Sequence, residues 1–194
     1  ALSYAHESTS ALQLERVALR DGIAHFFIGD VDGDGVDELG EMSSDYYSFL
    51  VREFSRDAVI GPALYQTNLA NRITQFIAED VDPDIPGDEV ILGLSDDSAG
   101  KLWIEVRHGQ DKEQILMQTP PVTGEDIADR GPAGDPPYDG AYNRLYVVDL
   151  DGDGDREVVA TLSVGFDLYP RSVRAFDYPS GEQIWSFPCA GNPQ

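Results

Sequence analysis

Asp30, Asp32 and Asp34 stand at alternating positions, Gly35 follows the third, and Glu38 closes the run Asp30-Val31-Asp32-Gly33-Asp34-Gly35-Val36-Asp37-Glu38. Asp149-Leu150-Asp151-Gly152-Asp153-Gly154-Asp155-Arg156-Glu157 repeats it almost letter for letter. A degenerate copy, Asp80-Val81-Asp82-Pro83-Asp84-Ile85-Pro86-Gly87-Asp88-Glu89, lies between them. Carboxylates this close repel one another unless a cation sits among them. Side-chain oxygens at positions 1, 3 and 5, a backbone carbonyl at position 7 and the Glu at position 9 form a cage of the size that Ca²⁺ takes, whereas Mg²⁺ demands stricter octahedral geometry. No neighbouring His or Cys offers the nitrogen or sulfur that zinc and copper prefer. The glycine at position 6 permits the sharp turn.

An EF-hand is the rival calcium loop, and it needs a Glu at position 12 between two helices. Glu41 falls there in the first loop, but Ile91 and Ala160 hold the place in the others. The EF-hand reading therefore fails for the second and third copies.

The flanking segments read as strands. Each loop is approached by a short apolar run, His25 to Ile28, Gln75 to Ala78 and Leu145 to Val148. A second run follows each closing Glu: Leu39 to Met42, Val90 to Leu94 and Val158 to Leu162. Alternating third strands are expected at Tyr47 to Val51, Leu102 to Val106 and Val173 to Phe176. Turns at Ser55-Arg56-Asp57, His108 to Asp111 and Pro179 to Glu182 lead to fourth strands at Val59 to Gln66, Gln114 to Gln118 and Gln183 to Phe187. The first two loops start 50 residues apart and the next two 69, and the excess is a Pro/Gly-rich stretch around 119–141 read as an inserted loop. Before the first unit, Ala11 to Leu19 reads as a strand, with helix as the alternative.

This pattern of Asp-x-Asp-x-Asp-Gly-x-x-Glu between apolar strands resembles the FG-GAP/VCBS repeats that form the blades of integrin-α-like β-propellers. The resemblance runs from about Ile23 to Phe187 and implies an all-β fold of about three four-stranded antiparallel blades plus a leading strand, an incomplete or open propeller. It divides the chain into a leading strand (1–22), a first blade (23–70), a second (71–118), the insertion (119–141) and a third blade with an exit segment (142–194). By position it carries the ligand roles to Asp30, Asp32, Asp34, the Val36 carbonyl and Glu38, and to Asp149, Asp151, Asp153, the Asp155 carbonyl and Glu157. Two Ca²⁺ ions are implied. A third, weaker site would use Asp80, Asp82, Asp84 and Glu89, where Ile85 replaces the turn glycine and the loop is one residue longer. The Phe-Gly and Gly-Ala-Pro elements of the family are reduced to Phe27-Ile28-Gly29. Closed propellers have about four to eight blades, so further blades or self-association are expected to cover the open edges.

Bulk properties set the partner classes. The chain has 194 residues, 41% hydrophobic, and a formal net charge of -23 from 36 acidic and 13 basic residues. That charge excludes a nucleic-acid backbone or an anionic membrane surface as main partner. Cys189 is the only cysteine, so no intrachain disulfide is available. No apolar run is long enough for direct membrane insertion, and Ala1 to Ala5 lacks the features of a signal peptide. His6, His25 and His108 lie in unrelated contexts with no matched nucleophile, and no catalytic residue is assigned. Trp103 and Trp185 are read as packing residues with sugar stacking as the minority role. Tyr138, Tyr142, Tyr169 and Arg171 are candidates for a ligand surface or for covering the ends of the blades. The expectation is a calcium-binding, non-enzymatic module for extracellular, cell-surface or periplasmic recognition of a protein or glycan. The alternatives are part of a calcium-dependent polysaccharide lyase and a structural spacer.

Overall fold

The structure is a computed structural model that describes residues 2–8, 11–17, 23–53, 61–123, 140–164 and 171–189. Among these the protein is all β, and three four-stranded antiparallel sheets account for most of it. The first sheet is β3 (Ile23–Gly29), β4 (Glu38–Ser43), β5 (Ser48–Glu53) and β6 (Ala63–Asn68), in that order. The second is β7 (Arg72–Glu79), β8 (Glu89–Asp96), β9 (Lys101–Arg107) and β10 (Ile115–Gln118). The third is β12 (Gly140–Val148), β13 (Glu157–Val164), β14 (Arg171–Asp177) and β15 (Gln183–Cys189). Each is a simple meander, and an acidic loop joins its first strand to its second. The expected strands are therefore present, with ends shifted by a few residues.

Two segments differ from expectation in instructive ways. The chain before the first sheet forms a hairpin rather than one outer strand: β1 (Leu2–Ser8) pairs with β2 (Ala11–Val17) from Leu2↔Val17 to Ser8↔Ala11. The inserted stretch begins with another strand, β11 (Val122–Thr123), which pairs with Leu102 and Lys101 of β9. β10 and β11 thus lie along the same edge of β9. Thr119 bridges them by donating its N–H to the Ile104 carbonyl at 3.0 Å and accepting the Ile104 N–H on Oγ1 at 3.0 Å. Pro120 and Pro121 interrupt the ladder because proline has no N–H to give, which confines the break to an edge. The Ser55–Asp57 turn, Val59, Tyr138, Tyr169 and the exit after Cys189 lie outside the described residues.

The sheets pack face to face, and the middle one is buried on both sides. Phe27, Met42, Phe49 and Val51 of the first sheet meet Ile73, Phe76, Ala78, Val90, Leu92 and Leu94 of the second. Phe76 sits 4.5 Å from Phe27 and 5.0 Å from Phe49 between ring centroids, tilted as aromatic pairs prefer. The other face of the second sheet, through Ile91, Leu102, Ile104 and Val106, meets Tyr142, Leu145, Val158, Ala160, Leu162 and Phe176 of the third. β8 therefore buries every residue from Glu89 to Ser95, as a strand covered on both faces must. Tyr142, a candidate for a ligand surface, is fully buried in this second interface.

The backbone repeats as well as the side chains. The first strand of each sheet is bulged at one place, between Ile23 and His25, Ile73 and Gln75, and Tyr142 and Arg144. The pairing of third and fourth strands shifts at Val51/Arg52, Ile115/Met117 and Ala175/Phe176, again at equivalent positions. The bulges of the second and third sheets meet: Gln75 Nε2 donates to the Asn143 carbonyl at 2.8 Å, and the Tyr142 N–H donates to Thr74 Oγ1 at 3.3 Å.

Candidate metal sites

The first and third acidic loops are tight connections whose first carboxylate caps the loop's own backbone. Asp30 accepts the Gly33 N–H on Oδ1 at 2.8 Å and the Gly35 N–H on Oδ2 at 2.9 Å. Asp149 does the same for Gly152 at 2.6 Å and Gly154 at 3.2 Å. The later carboxylates each hold the N–H two residues on: Asp32 that of Asp34, Asp34 that of Val36, Asp151 that of Asp153 and Asp153 that of Asp155. These are Asx turns, the local use to which aspartate is suited. The glycines at positions 4 and 6 take φ of +74° and +86° in the first loop and +81° and +101° in the third. The sequence pattern singles out position 6, and the structure adds position 4.

The closing glutamates are buried rather than exposed at the loop mouth. Glu38, Glu89 and Glu157 are 2%, 0% and 4% exposed. Each accepts the N–H of the residue after the first Asp: Val31 at 2.9 Å, Val81 at 2.9 Å and Leu150 at 2.7 Å. Burial, followed by the charge of Asp32, pushes Glu38 up to about 7. Burial likewise raises Glu89 to about 6, with Asp80 and Asp82 adding to it and the N–H groups of Val81 and Asp82 opposing. A carboxyl held this high gains most from a nearby cation.

Two of the three loops bring their carboxylates together. Asp30, Asp32 and Glu38 place one oxygen each within 4.8 Å of one another, as do Asp149, Asp151 and Asp153. Among the described residues no Lys or Arg forms an ion pair with any of these six. Either acidic group could hold a metal ion. Asp34 and Glu157 lie in the same loops but outside these closest groups. Val36 and Asp155, expected to offer carbonyls, are exposed at the loop tips.

The second loop has a different set of partners. Asp80 Oδ2 lies 3.4 Å from the guanidinium of Arg156, which also donates to the Asp80 carbonyl. Asp82 Oδ2 accepts the Tyr178 hydroxyl at 3.0 Å, and Asp84 gives its N–H to Asp82 Oδ1 at 3.1 Å. Asp80, Asp82, Asp84 and Glu89 do not converge as the other two sets do. Asp80 Oδ1 and Glu89 Oε1 remain buried without a hydrogen-bond partner.

The loops are also linked in series. Asp88 accepts the Asp30 N–H on Oδ2 at 3.0 Å and gives its own N–H to the Asp30 carbonyl at 2.6 Å. Burial holds the Asp88 carboxyl above its ordinary range, with the charges of Glu79, Asp30 and Asp80 adding to it and the Asp30 N–H opposing. Asp88 and Arg156 occupy the same place, one residue before the closing Glu, and both reach back to the first Asp of the preceding loop. Gly33 and Gly87 touch at this junction: a Cβ on Gly33 would lie 2.9 Å from the Pro86 carbonyl carbon, and one on Gly87 would lie 2.8 Å from the Gly33 nitrogen. The turn at 108–110 completes the seat, with Gln110 Nε2 donating to the Asp32 carbonyl and Gly109 too close to Val31 and Asp88 to carry a side chain. His108 organises that turn by accepting the N–H groups of Gln110 and Asp111 on Nδ1.

Sequence reasoning did not find Asp88, Arg156, Tyr178 or Gln110. The one available signal was that Asp37, Asp88 and Arg156 share a position beside the invariant-looking Glu of each loop. Of the aromatic candidates, Trp103 packs into the first interface and donates to Glu105 at 2.9 Å, while Trp185 is half exposed. No protein-family model matches the chain, and no curated protein matches it.

Proposed function

We propose that this chain is a calcium-binding, non-enzymatic recognition module built from propeller-type repeats of the FG-GAP/VCBS kind, working outside the cell or in the periplasm. The observation that carries the metal reading is the pair of carboxylate groups, Asp30/Asp32/Glu38 and Asp149/Asp151/Asp153, each gathered within 4.8 Å with no ion pair to a Lys or Arg among the described residues. Oxygen-only donors on flexible loop backbone favour Ca²⁺ over Mg²⁺. Weak sites of about 10⁻⁴–10⁻³ M are filled by the calcium levels met outside cells.

The ions serve structure in this reading. They neutralise the loop that joins the first two strands of a sheet, where Glu38 and Glu157 tie the loop back to the strand ends. The repeat itself, in strand order, loop position and paired bulges, supports sheets arranged as blades. Recognition of a protein or glycan then falls to surfaces away from the loops.

Isothermal titration with CaCl₂ and MgCl₂ after chelation tests the metal reading, with two calcium equivalents and weaker magnesium binding expected. Absence of calcium binding at millimolar concentration overturns it. A glycan and polysaccharide screen with product detection tests recognition against catalysis: binding without cleavage is expected, and released product contradicts the non-enzymatic assignment.

A further inference from the structure

Among the described residues, the left-handed backbone belongs to seven glycines and to one residue with a side chain, Tyr46, at φ +67°. Glycine adopts that conformation readily, whereas a residue with a Cβ is strained there. The turn between β8 and β9 makes the easier choice, with Gly100 at φ +60°. The turn between β4 and β5 keeps a tyrosine. Its backbone bonds do not ask for one: the Tyr46 N–H donates to the Ser43 carbonyl at 3.0 Å, and the Tyr46 carbonyl accepts the Ile73 N–H at 2.7 Å. Glycine offers both groups. The strain is therefore kept for the side chain, whose residue is 38% exposed.

Tyr46 sits where the first sheet meets the second, at the strand ends away from the acidic loops. The two junctions between sheets are built differently at this level. At the second junction the Tyr142 N–H donates to Thr74 Oγ1, and the buried Gln75 bridges the sheets through the Asn143 carbonyl. At the first, the equivalent N–H, that of Ile73, goes to Tyr46, and the residue in the place of Gln75 is the exposed His25. The His25 ring lies 6.4 Å from that of Tyr46, tilted by 58°. Tyr47 is exposed beside it, with its carbonyl tied to the Leu69 N–H at 2.7 Å. From the second sheet, Arg72 next to Ile73 holds the Asp97 carboxylate in a fork, Nε to Oδ2 at 3.0 Å and a terminal nitrogen to Oδ1 at 3.3 Å. Exposed rings and a fixed ion pair thus share one rim of this junction.

We propose that Tyr46, Tyr47, His25, Arg72 and Asp97 form a binding site for a neutral glycan. The proposal rests on the reading of the chain as a recognition module and gives that reading a surface and a ligand class. Tyrosine offers the C–H face of a sugar ring an apolar platform with a hydroxyl at its edge. The Arg72–Asp97 fork sets donors and an acceptor side by side, as neighbouring sugar hydroxyls require. Charge selects the class. Asp45, Asp96 and Asp97 stand against Arg72 in these turns, which disfavours uronic acids and sulfated sugars. A basic peptide is a poorer fit, because the three carboxylates are held in place by Ser43, Tyr47, Ser95, Ser98 and Ala99 and do not reach out to a lysine or arginine.

The test is titration calorimetry of the whole chain in saturating calcium with cellohexaose, laminarihexaose, mannohexaose and xylohexaose, and with hexagalacturonate and hexa-arginine as charged controls. The wild type is expected to bind at least one neutral hexaose more tightly than either control. Tyr46→Gly is expected to weaken that binding by about tenfold or more, to melt no lower than the wild type and to keep its calcium stoichiometry. Tyr46→Phe keeps most of the affinity, and Arg72→Met loses part of it. Equal binding by Tyr46→Gly overturns the site and leaves glycan recognition to another surface. A lower melt of Tyr46→Gly means that the ring is kept for packing, and overturns it too. So does a wild type that binds no neutral hexaose, or prefers a charged control, even where calcium binding stands. Cleavage of a hexaose by the wild type, lost in Tyr46→Gly, supports the site and removes only the non-enzymatic assignment.

Discussion

Arg156 stands in the third acidic loop, yet its guanidinium lies 3.4 Å from the Asp80 carboxylate of the second. The second loop therefore receives its positive charge from the protein, where the first and third loops have none among the described residues. Tyr178 adds a hydroxyl to Asp82, so two of the carboxylates expected to hold an ion there are engaged by the neighbouring sheet. The eroded copy reads as a join between sheets rather than as a faded duplicate of its siblings.

That difference sets the first expectation. Replacing Arg156 by Met removes an ion pair that is more than a third exposed on both sides, together with a donor to the Asp80 carbonyl. The loss is about 1 kcal/mol, equivalent to roughly 2–4 °C in a chain of this size. The Arg156→Met/Asp80→Asn double variant should lose less than the sum of the two single changes, measured by thermal melts in a double-mutant cycle. Additive losses contradict the pairing.

Calcium removal should be felt in the first and third loops. An ion present at about 100 times its dissociation constant adds roughly 2.7 kcal/mol, so stripping either site with a chelator lowers Tm by roughly 5–10 °C. Scanning calorimetry with and without excess calcium reads this directly, and an unchanged melt removes the structural role from the ions.

Single carboxylate changes divide the loops. In saturating calcium, Asp32→Ala and Asp151→Ala should each abolish one calcium equivalent and cost more stability than Asp82→Ala, which loses only the Tyr178 hydroxyl and a local turn bond. Titration calorimetry gives the stoichiometry, and the reverse ranking of melts means that the second loop is the better metal site.

Glu38 makes the first loop sensitive to pH. Its folded value of about 7 lies above the ordinary value of 4.5, so the metal-free fold is stabilised by the protonated form below about pH 4.5. That stabilisation is lost as pH rises through about 7. Calcium needs the carboxylate, so its affinity runs the other way and weakens by up to about tenfold per unit below pH 7. Titrations of Asp151→Ala at pH 6 and pH 8 isolate the first loop, and equal affinities at the two values count against Glu38 as a ligand.

Gly33 and Gly152 hold the same loop position but different neighbours. Both need the left-handed backbone, which costs about 1–2 kcal/mol for alanine. Nothing lies within 4 Å of a Cβ on Gly152, whereas one on Gly33 meets Pro86 at 2.9 Å. Gly33→Ala should therefore lower Tm clearly more than Gly152→Ala. Equal losses mean that the first two loops are not seated on each other.

Much of this architecture is legible from residue order because it is local. The meander of each sheet follows from apolar runs separated by turn residues, and the acidic loops announce themselves by alternating aspartates. What escaped is what joins distant parts of the chain. Asp88 meets Asp30 across 58 positions and Arg156 meets Asp80 across 76, and no spacing rule links such pairs. Val122 and Thr123 were hidden by Pro120 and Pro121, which read as the start of a loop although the ladder along β9 resumes beyond them. Ala11 to Val17 was expected as a strand, but its hairpin partner β1 (Leu2–Ser8), short and largely polar, was not.

The shared bulges carry a consequence of another kind. Ala24, Thr74 and Asn143 have nothing in common as side chains, yet each is the extra residue in its strand. A bulge shifts every later side chain to the opposite face, so losing one would turn a strand inside out and bury its polar residues. A substitution at any of the three keeps the register, whereas a deletion inverts the strand. The likeness of the three sheets thus lies in a count of residues as well as in their identities, a feature that comparison of letters is poorly placed to see.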